Sequence, residues 1–236
     1  MQLTTSLGEI PVLIQRGRGK RLKMSFTAEK HLLIETPTGQ HSPEIDIFLQ
    51  KNLAWIEKTY PKIVIKQDEK TEFLANLATH IPYLGKPLPI RYHEDKQTKF
   101  KVSSTEGIDI HCPANSVAGL KQAMIRMAME RLAEHYLKQK VVHWAKITQS
   151  KVNNVVVKAQ KTRWGSCSSK ANINLNWHVV LLAEKYIDYL IIHELMHLRE
   201  MNHSERFWQN VAMYCPDYQQ TDKELNQFTW MVNILK

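Results

Sequence analysis

A chain of 236 residues, 43% hydrophobic and with a formal charge of +9, is long enough to bury one large core or two small ones, and its composition argues against disorder. Its three cysteines are too scattered for a disulfide framework, and it has neither a cationic leader with an apolar run nor a stretch of about eighteen apolar residues. The expectation is a soluble cytoplasmic protein with no membrane partner, whose basic excess favours anionic partners such as nucleic acid, nucleotides or acidic protein surfaces without choosing among them.

In chain order, "EIPVLIQR", "RLKMSFTA" and "HLLIETP" read as short strands of an antiparallel meander. Between the first two, Arg16, Arg18, Lys20, Arg21 and Lys23 surround Gly17 and Gly19, either as a solvated hairpin turn or as a phosphate-binding patch. Apolar residues at Ile45, Phe48, Leu49, Leu53 and Ile56 give a helical rhythm that Pro61 is expected to end. Strands over "PLPIRYHED", "TKFKVSS" and "GIDIHCP" follow, and no repeat is visible. From Asn115-Ser116 a long helix is expected to about Thr148, with a stripe through Leu120, Met124, Met127, Leu132, Tyr136 and Val141. The composition change there predicts a β-rich region over 1–113 and a helical one over 114–236. In the latter, "NNVVVKAQ" and "NINLNW" are expected to make a small sheet, followed by helices over 184–198, "SERFWQNVAMYC" and "TDKELNQFTWMVNIL".

The helix over 184–198 carries "HELMHLREMNH". Successive helical residues turn by about 100°, so His193 and His197 share a face with Cβ atoms about 6 Å apart, close enough for two imidazoles to hold one ion. A catalytic zinc takes three protein ligands and leaves a position for water, and His203 is the natural third ligand if the chain leaves the helix after about Leu198 and turns back. Asn202 is a candidate for the left-handed residue of that turn. Glu194 lies beside the histidine pair, offset so that its carboxylate can take a proton from the metal's water without occupying a ligand position. Random ordering of this composition would give H-E-x-x-H in roughly 3% of shuffles, and with the added histidine in about 0.2%.

Upstream, "ANINLNW" alternates Ile173, Leu175 and Trp177 with Asn172, Asn174 and Asn176, as a half-exposed strand would. Such a strand at the edge of a cleft could hold an extended peptide by its unpaired backbone groups. Arg163, in a turn-rich loop ending at Cys167, could bind a carboxylate or phosphate or serve as an ion-pair partner, and Trp164 could wall a pocket or fill the core. Arg163, Trp164, Asn174 and Asn176 are therefore the candidate substrate-binding residues. Three histidines complete a zinc shell, so Cys167 is expected neither as a ligand nor as a nucleophile. His31, His80, His111 and His143 follow no ligand spacing and are expected to be solvent-exposed or hydrogen-bonded.

"TRWGSCS", "INLNW", "IDYLIIHELMHL" and "NHSERFW" resemble, in order and spacing, the YgjP-like metallopeptidases, relatives of the SprT-like proteases within the zincin superfamily. "GRGKRLKMSF", "EIDIFLQKNLAWIEK" and "YLGKPLPIRY" look like the family's N-terminal region. The resemblance implies zinc bound by His193, His197 and His203 with Glu194 as base, and an α+β fold with a zincin-like helical domain and small sheet after a β-rich N-terminal region. Two departures stand out. "LLAEKY" replaces the family's Ala-Pro-Pro turn before the histidine helix, and Glu200 stands where the related metzincins have glycine. The expected activity is zinc-dependent hydrolysis of a polypeptide. The alternatives are metal-dependent hydrolysis of nucleoside triphosphates, which the family resemblance also permits, and nucleic-acid association without turnover.

Overall fold

The computed structural model describes residues 1–27 and 29–235, and the chain divides into two compact units, Met1–Glu72 and Phe73–Lys236. In the first, strands β1 (Gln2–Thr5), β2 (Gly8–Arg16), β3 (Lys23–Phe26) and β4 (Leu32–Thr36) form one sheet in the order β1-β2-β4-β3. This is not the expected antiparallel meander, because β2 and β4 run parallel, Val12 opposite Leu32 through Arg16 opposite Thr36. That pairing sets the buried Ile10 and Val12 beside Leu32 and Ile34 and leaves the short, half-exposed β3 at the edge. The basic segment 17–22 is consequently a crossover between strands that are not neighbours rather than a hairpin turn.

Helices α1 (Pro43–Lys51) and α2 (Leu53–Asn76) follow, and Ile45, Leu49 and Ile56 complete the first core. The helix break falls at Asn52, whose Nδ2 donates to the carbonyl of Phe48 at 2.8 Å. The expected stop at Pro61 does not occur. The proline removes one backbone hydrogen bond from α2, a loss offset by burial of Ile56 before it and Phe73 after it.

In the second unit, β5 (His80–Tyr83), β6 (Lys86–Glu94), β7 (Lys99–Ser103) and β8 (Gly107–Cys112) are ordered β5-β6-β8-β7. β6 and β8 run parallel and the outer pairs antiparallel, so this sheet repeats the topology of the first. Helix α3 (Ala118–Ile147) packs on it through Met124, Ile125, Ala128, Met129, Ala133, Leu137 and Val141, while Met127 points to solvent. A second sheet contains β9 (Asn154–Lys158), β10 (Gly165–Cys167) and β11 (Asn172–Asn176) in the order β10-β11-β9. After a 3-10 turn at Trp177–Leu181 come α4 (Glu184–Met196), α5 (Glu205–Ala212), α6 (Tyr218–Gln227) and a 3-10 turn at Phe228–Asn233.

The molecule is therefore α+β, as expected, but the unit boundary lies at 72/73 rather than near 113. Ile81, Ile90, Ile108 and Ile110 of the β5–β8 sheet share one core with Met129, Leu175, Trp177 and Ile191, so cutting at 113 would split that core. Among the described residues no helix is long and apolar enough to cross a membrane.

Candidate metal centre

Helix α4 carries the first two histidines, and its position is fixed from both ends. Its N-cap, Ala183, has no side chain to cap the helix. The first turn is held instead by Lys140 of α3, whose Nζ lies 2.9 Å from Glu184 and 2.6 Å from Asp188. Tyr136 donates to Glu184 at 2.7 Å and the Trp144 indole donates to Asp188 at 2.6 Å. A tight turn at Leu84-Gly85, both with positive φ, packs against the same end: the amide of Leu84 donates to the carbonyl of Val180 at 2.7 Å, and a Cβ on Gly85 would crowd Cα of Ala183 at 3.0 Å.

The other end of α4 stops at Met196, with His197 as C-cap. Amides of Leu198, Arg199 and Glu200 bond back to Leu195 and Met196, which tightens the exit. Asn202 does not supply a left-handed residue. Its Oδ1 accepts the amide of Ser204 at 3.0 Å, a side-chain turn that replaces the expected backbone one. Ser204 then caps α5 by accepting the amide of Phe207 at 3.3 Å.

This path brings His203 back over α4. The ring centroids of His193, His197 and His203 lie 5.0, 5.1 and 4.8 Å apart pairwise, and one nitrogen of each lies within 4.8 Å of the others. Nε2 of His203 is 3.2 Å from Nε2 of His193, close to the separation of about 3.3 Å that two nitrogens adopt on one tetrahedral zinc. Phe207, fully buried, sits with its ring centroid 5.0, 4.5 and 4.8 Å from the three imidazoles, and Trp208 stacks on His203 at 5.5 Å. Burial pushes His193 down to about 3, and burial also lowers His197, so both rings are neutral with lone pairs to give.

The outer contacts of the three histidines were not legible in the sequence. Nδ1 of His197 donates to the carbonyl of Glu200 at 3.2 Å. Nδ1 of His193 lies 3.5 Å from the hydroxyl of Tyr189, which donates to Asp222 of α6 at 2.8 Å. Tyr189 could have been suspected from its position one helical turn before His193. Nothing local points to Asp222.

Glu194 is 4% exposed, and its Oε2 has no hydrogen-bond partner. Burial pushes its carboxyl up to about 8, with the charge of Arg163 opposing. Three converging imidazoles beside an orphaned buried carboxylate oxygen are a donor set suited to a borderline divalent cation such as zinc.

The other candidates part company. Arg163 is exposed and acts on Glu194 through its charge. Trp164 packs in the core and is 6% exposed. Asn176 is fully buried: its Nδ2 donates to the carbonyls of Gln160 and Arg163 at 3.2 Å, and its Oδ1 accepts from the amide and Nδ1 of His178, so it is a structural hub. Asn174 is half-buried and donates to Ser166 Oγ at 3.3 Å. Burial pushes the Cys167 thiol up to about 11, which suits neither ligand nor nucleophile.

The strand expected at the cleft edge is the middle one, because β11 pairs with β10 on one side and β9 on the other. The edge is β10, read from sequence as loop. Trp164 and Ser168 bond to β11 through O and N respectively, so by alternation Gly165 and Cys167 turn their N–H and C=O groups outward. Gly165 also touches the carboxylate of Glu194: a Cβ there would lie 2.5 Å from Oε1.

Residues 20–228 match the family described as "YgjP-like, metallopeptidase domain". Among solved structures, the metallopeptidase zymogen abylysin of Pyrococcus abyssi is similar at 25% identity and a TM-score of 0.35, over 38% of this chain and 90% of that one. The metallopeptidase zymogen jannalysin of Methanocaldococcus jannaschii is similar at 24% identity and a TM-score of 0.35, over 39% and 94%. No curated protein matches the chain at a significant level.

Proposed function

This chain belongs to the YgjP-like metallopeptidase family, and from that premise we propose that it is a zinc-dependent peptidase with His193, His197 and His203 as ligands and Glu194 as general base. The observation that carries the reading is the orphaned Oε2 of Glu194 beside the converged histidines, a proton acceptor held dry and without a competing partner. When bound, the zinc would supply a Lewis acid and lower the pKa of a nearby water. Glu194 takes the proton from the attacking water and passes it to the leaving amine, and the positive charge of Arg163 favours the ionised carboxylate. The outward backbone groups of Gly165 and Cys167 pair with an extended polypeptide substrate, as an added strand would. The proposed site lies wholly within the second unit, so we assign the catalytic domain to residues 73–236.

The test is cleavage of casein by zinc-loaded protein, wild type and Glu194→Gln, with zinc content measured in both. The expected result is turnover in the wild type, none in the variant, and equal zinc. Undiminished cleavage by Glu194→Gln removes the base, and phosphate release from nucleoside triphosphates without any proteolysis removes the peptidase reading.

A further inference from the structure

A cavity of about 340 Å³ opens beside the histidine triad, with His197 forming part of its wall. Besides His197 its polar lining comes from Gln149, Ser150, Lys151, Ser168, Ser169 and Arg199, and among the described residues no carboxylate lines it. The Lys151 ammonium is exposed and has no ion-pair or hydrogen-bond partner among the described residues. Arg199 is anchored through Nη2 on the carbonyl of Thr148 and the hydroxyl of Tyr214, which leaves its other donors uncommitted. Oγ of Ser168 accepts the amide of Asn172 at 3.3 Å and keeps its own proton to donate. Two residues of the lining, Gln149 and Ala171, hold left-handed backbone at φ 52° and 57°, a conformation costly for non-glycine residues that concentrates at binding sites.

The surroundings carry the same sign. Residues 135–183, which run from α3 through β9, β10 and β11, contain eight Lys or Arg and no Asp or Glu. Lys138 and Lys140 are ion-paired with Glu134 and with Glu184 and Asp188, so the positive excess along the sheet that edges the site comes from the other six. Ser168 and Ser169 follow directly on β10, so a chain laid along the outward groups of Gly165 and Cys167 reaches the cavity within about three residues at roughly 3.3 Å each.

We propose that this cavity is a specificity subsite that takes an acidic side chain, Asp or Glu, of the polypeptide substrate. The proposal rests on the peptidase reading and adds the substrate class to it. A carboxylate entering here exchanges water for one ammonium, guanidinium donors and serine hydroxyls, the charge-assisted set that a neutral amide cannot use as well.

The experiment is a set of fluorogenic peptides on one scaffold, with Glu, Gln or Lys at each position flanking the scissile bond. kcat/KM is measured for zinc-loaded wild type and Lys151→Glu, and binding of the same peptides to Glu194→Gln. One flanking position should favour Glu over Gln by about tenfold in kcat/KM and in binding, the preference should shrink as salt is raised, and Lys151→Glu should abolish or invert it. An active enzyme indifferent to Glu or Gln at every position, or an acidic preference that survives Lys151→Glu, overturns the subsite and leaves the peptidase reading standing. Absence of both cleavage and binding across the set, with nucleoside triphosphates hydrolysed instead, overturns both.

Discussion

A methyl group placed on Gly165 would lie 2.5 Å from Oε1 of Glu194 and 3.0 Å from its Cδ and Cγ, so the backbone of the edge strand and the proposed base are in direct contact. Glycine is required there by this approach, since no positive φ demands it. Gly165→Ala should push the carboxylate aside and lower kcat at least tenfold at unchanged zinc content, because displacements of about 1 Å in a catalytic group cost up to a hundredfold. Metal analysis alongside casein turnover decides it. Normal turnover would mean that the contact does not set the position of the base.

Tyr189 and Asp222 form a relay behind His193, with 2.8 Å between hydroxyl and carboxylate and 3.5 Å from hydroxyl to Nδ1. Outer partners of this kind orient a ligand ring and raise its basicity. Tyr189→Phe and Asp222→Asn should therefore each weaken zinc binding by about tenfold to a hundredfold, read by chelator competition. Unchanged affinity in both would reduce the relay to packing.

Zinc removal should lower thermal stability, since a metal that binds the folded chain stabilises it in proportion to its occupancy. The melting temperature of wild type should rise on adding zinc and fall with chelator, whereas His203→Ala should respond to neither. A zinc response that persists in His203→Ala would place the metal elsewhere.

Asn176 tests the division between site and scaffold. Its buried side chain donates to the carbonyls of Gln160 and Arg163 and accepts the buried amide of His178, so Asn176→Ala should cost about 1–3 kcal/mol in unfolding free energy. KM in the folded variant should stay at the wild-type value. A raised KM without loss of stability would return Asn176 to the substrate site.

Arg91 forks onto both carboxylate oxygens of Asp109 at 2.8 Å, and His93 adds a third contact at 2.8 Å. The Arg91 guanidinium, with His93, holds the Asp109 carboxyl well below the usual carboxylate range. A depressed folded pKa stabilises the protein above the unfolded value of about 4, and that contribution is lost as pH falls below it. The pair is partly exposed, so solvent screening keeps its worth small. Urea midpoints at pH 6 and pH 3 should drop less for Asp109→Asn than for wild type. Equal drops would show that other groups carry the acid sensitivity.

The sequence by itself placed His193, Glu194 and His197 on one helix with His203 a short reach beyond it, because these relationships are local. Helical pitch puts His193 and His197 on one face whatever surrounds them, and the short reach from His197 to His203 leaves few paths back. Apolar and β-branched content between turn residues likewise marked β4 and β8 as strands, and period-two alternation marked β11. Which strands are neighbours is a long-range matter, and there only the tertiary structure decided. The parallel pairing of β2 with β4, its repetition in β6 with β8, and the enclosure of β11 between β10 and β9 depend on which apolar faces meet, and alternation is blind to that. For the same reason "ANINLNW" read as an edge while the true edge, three residues of "GSC", read as loop. Asp222 bonded to Tyr189, and Lys151 lining one cavity with His197, are pairs more than thirty residues apart in the chain that only packing brings together.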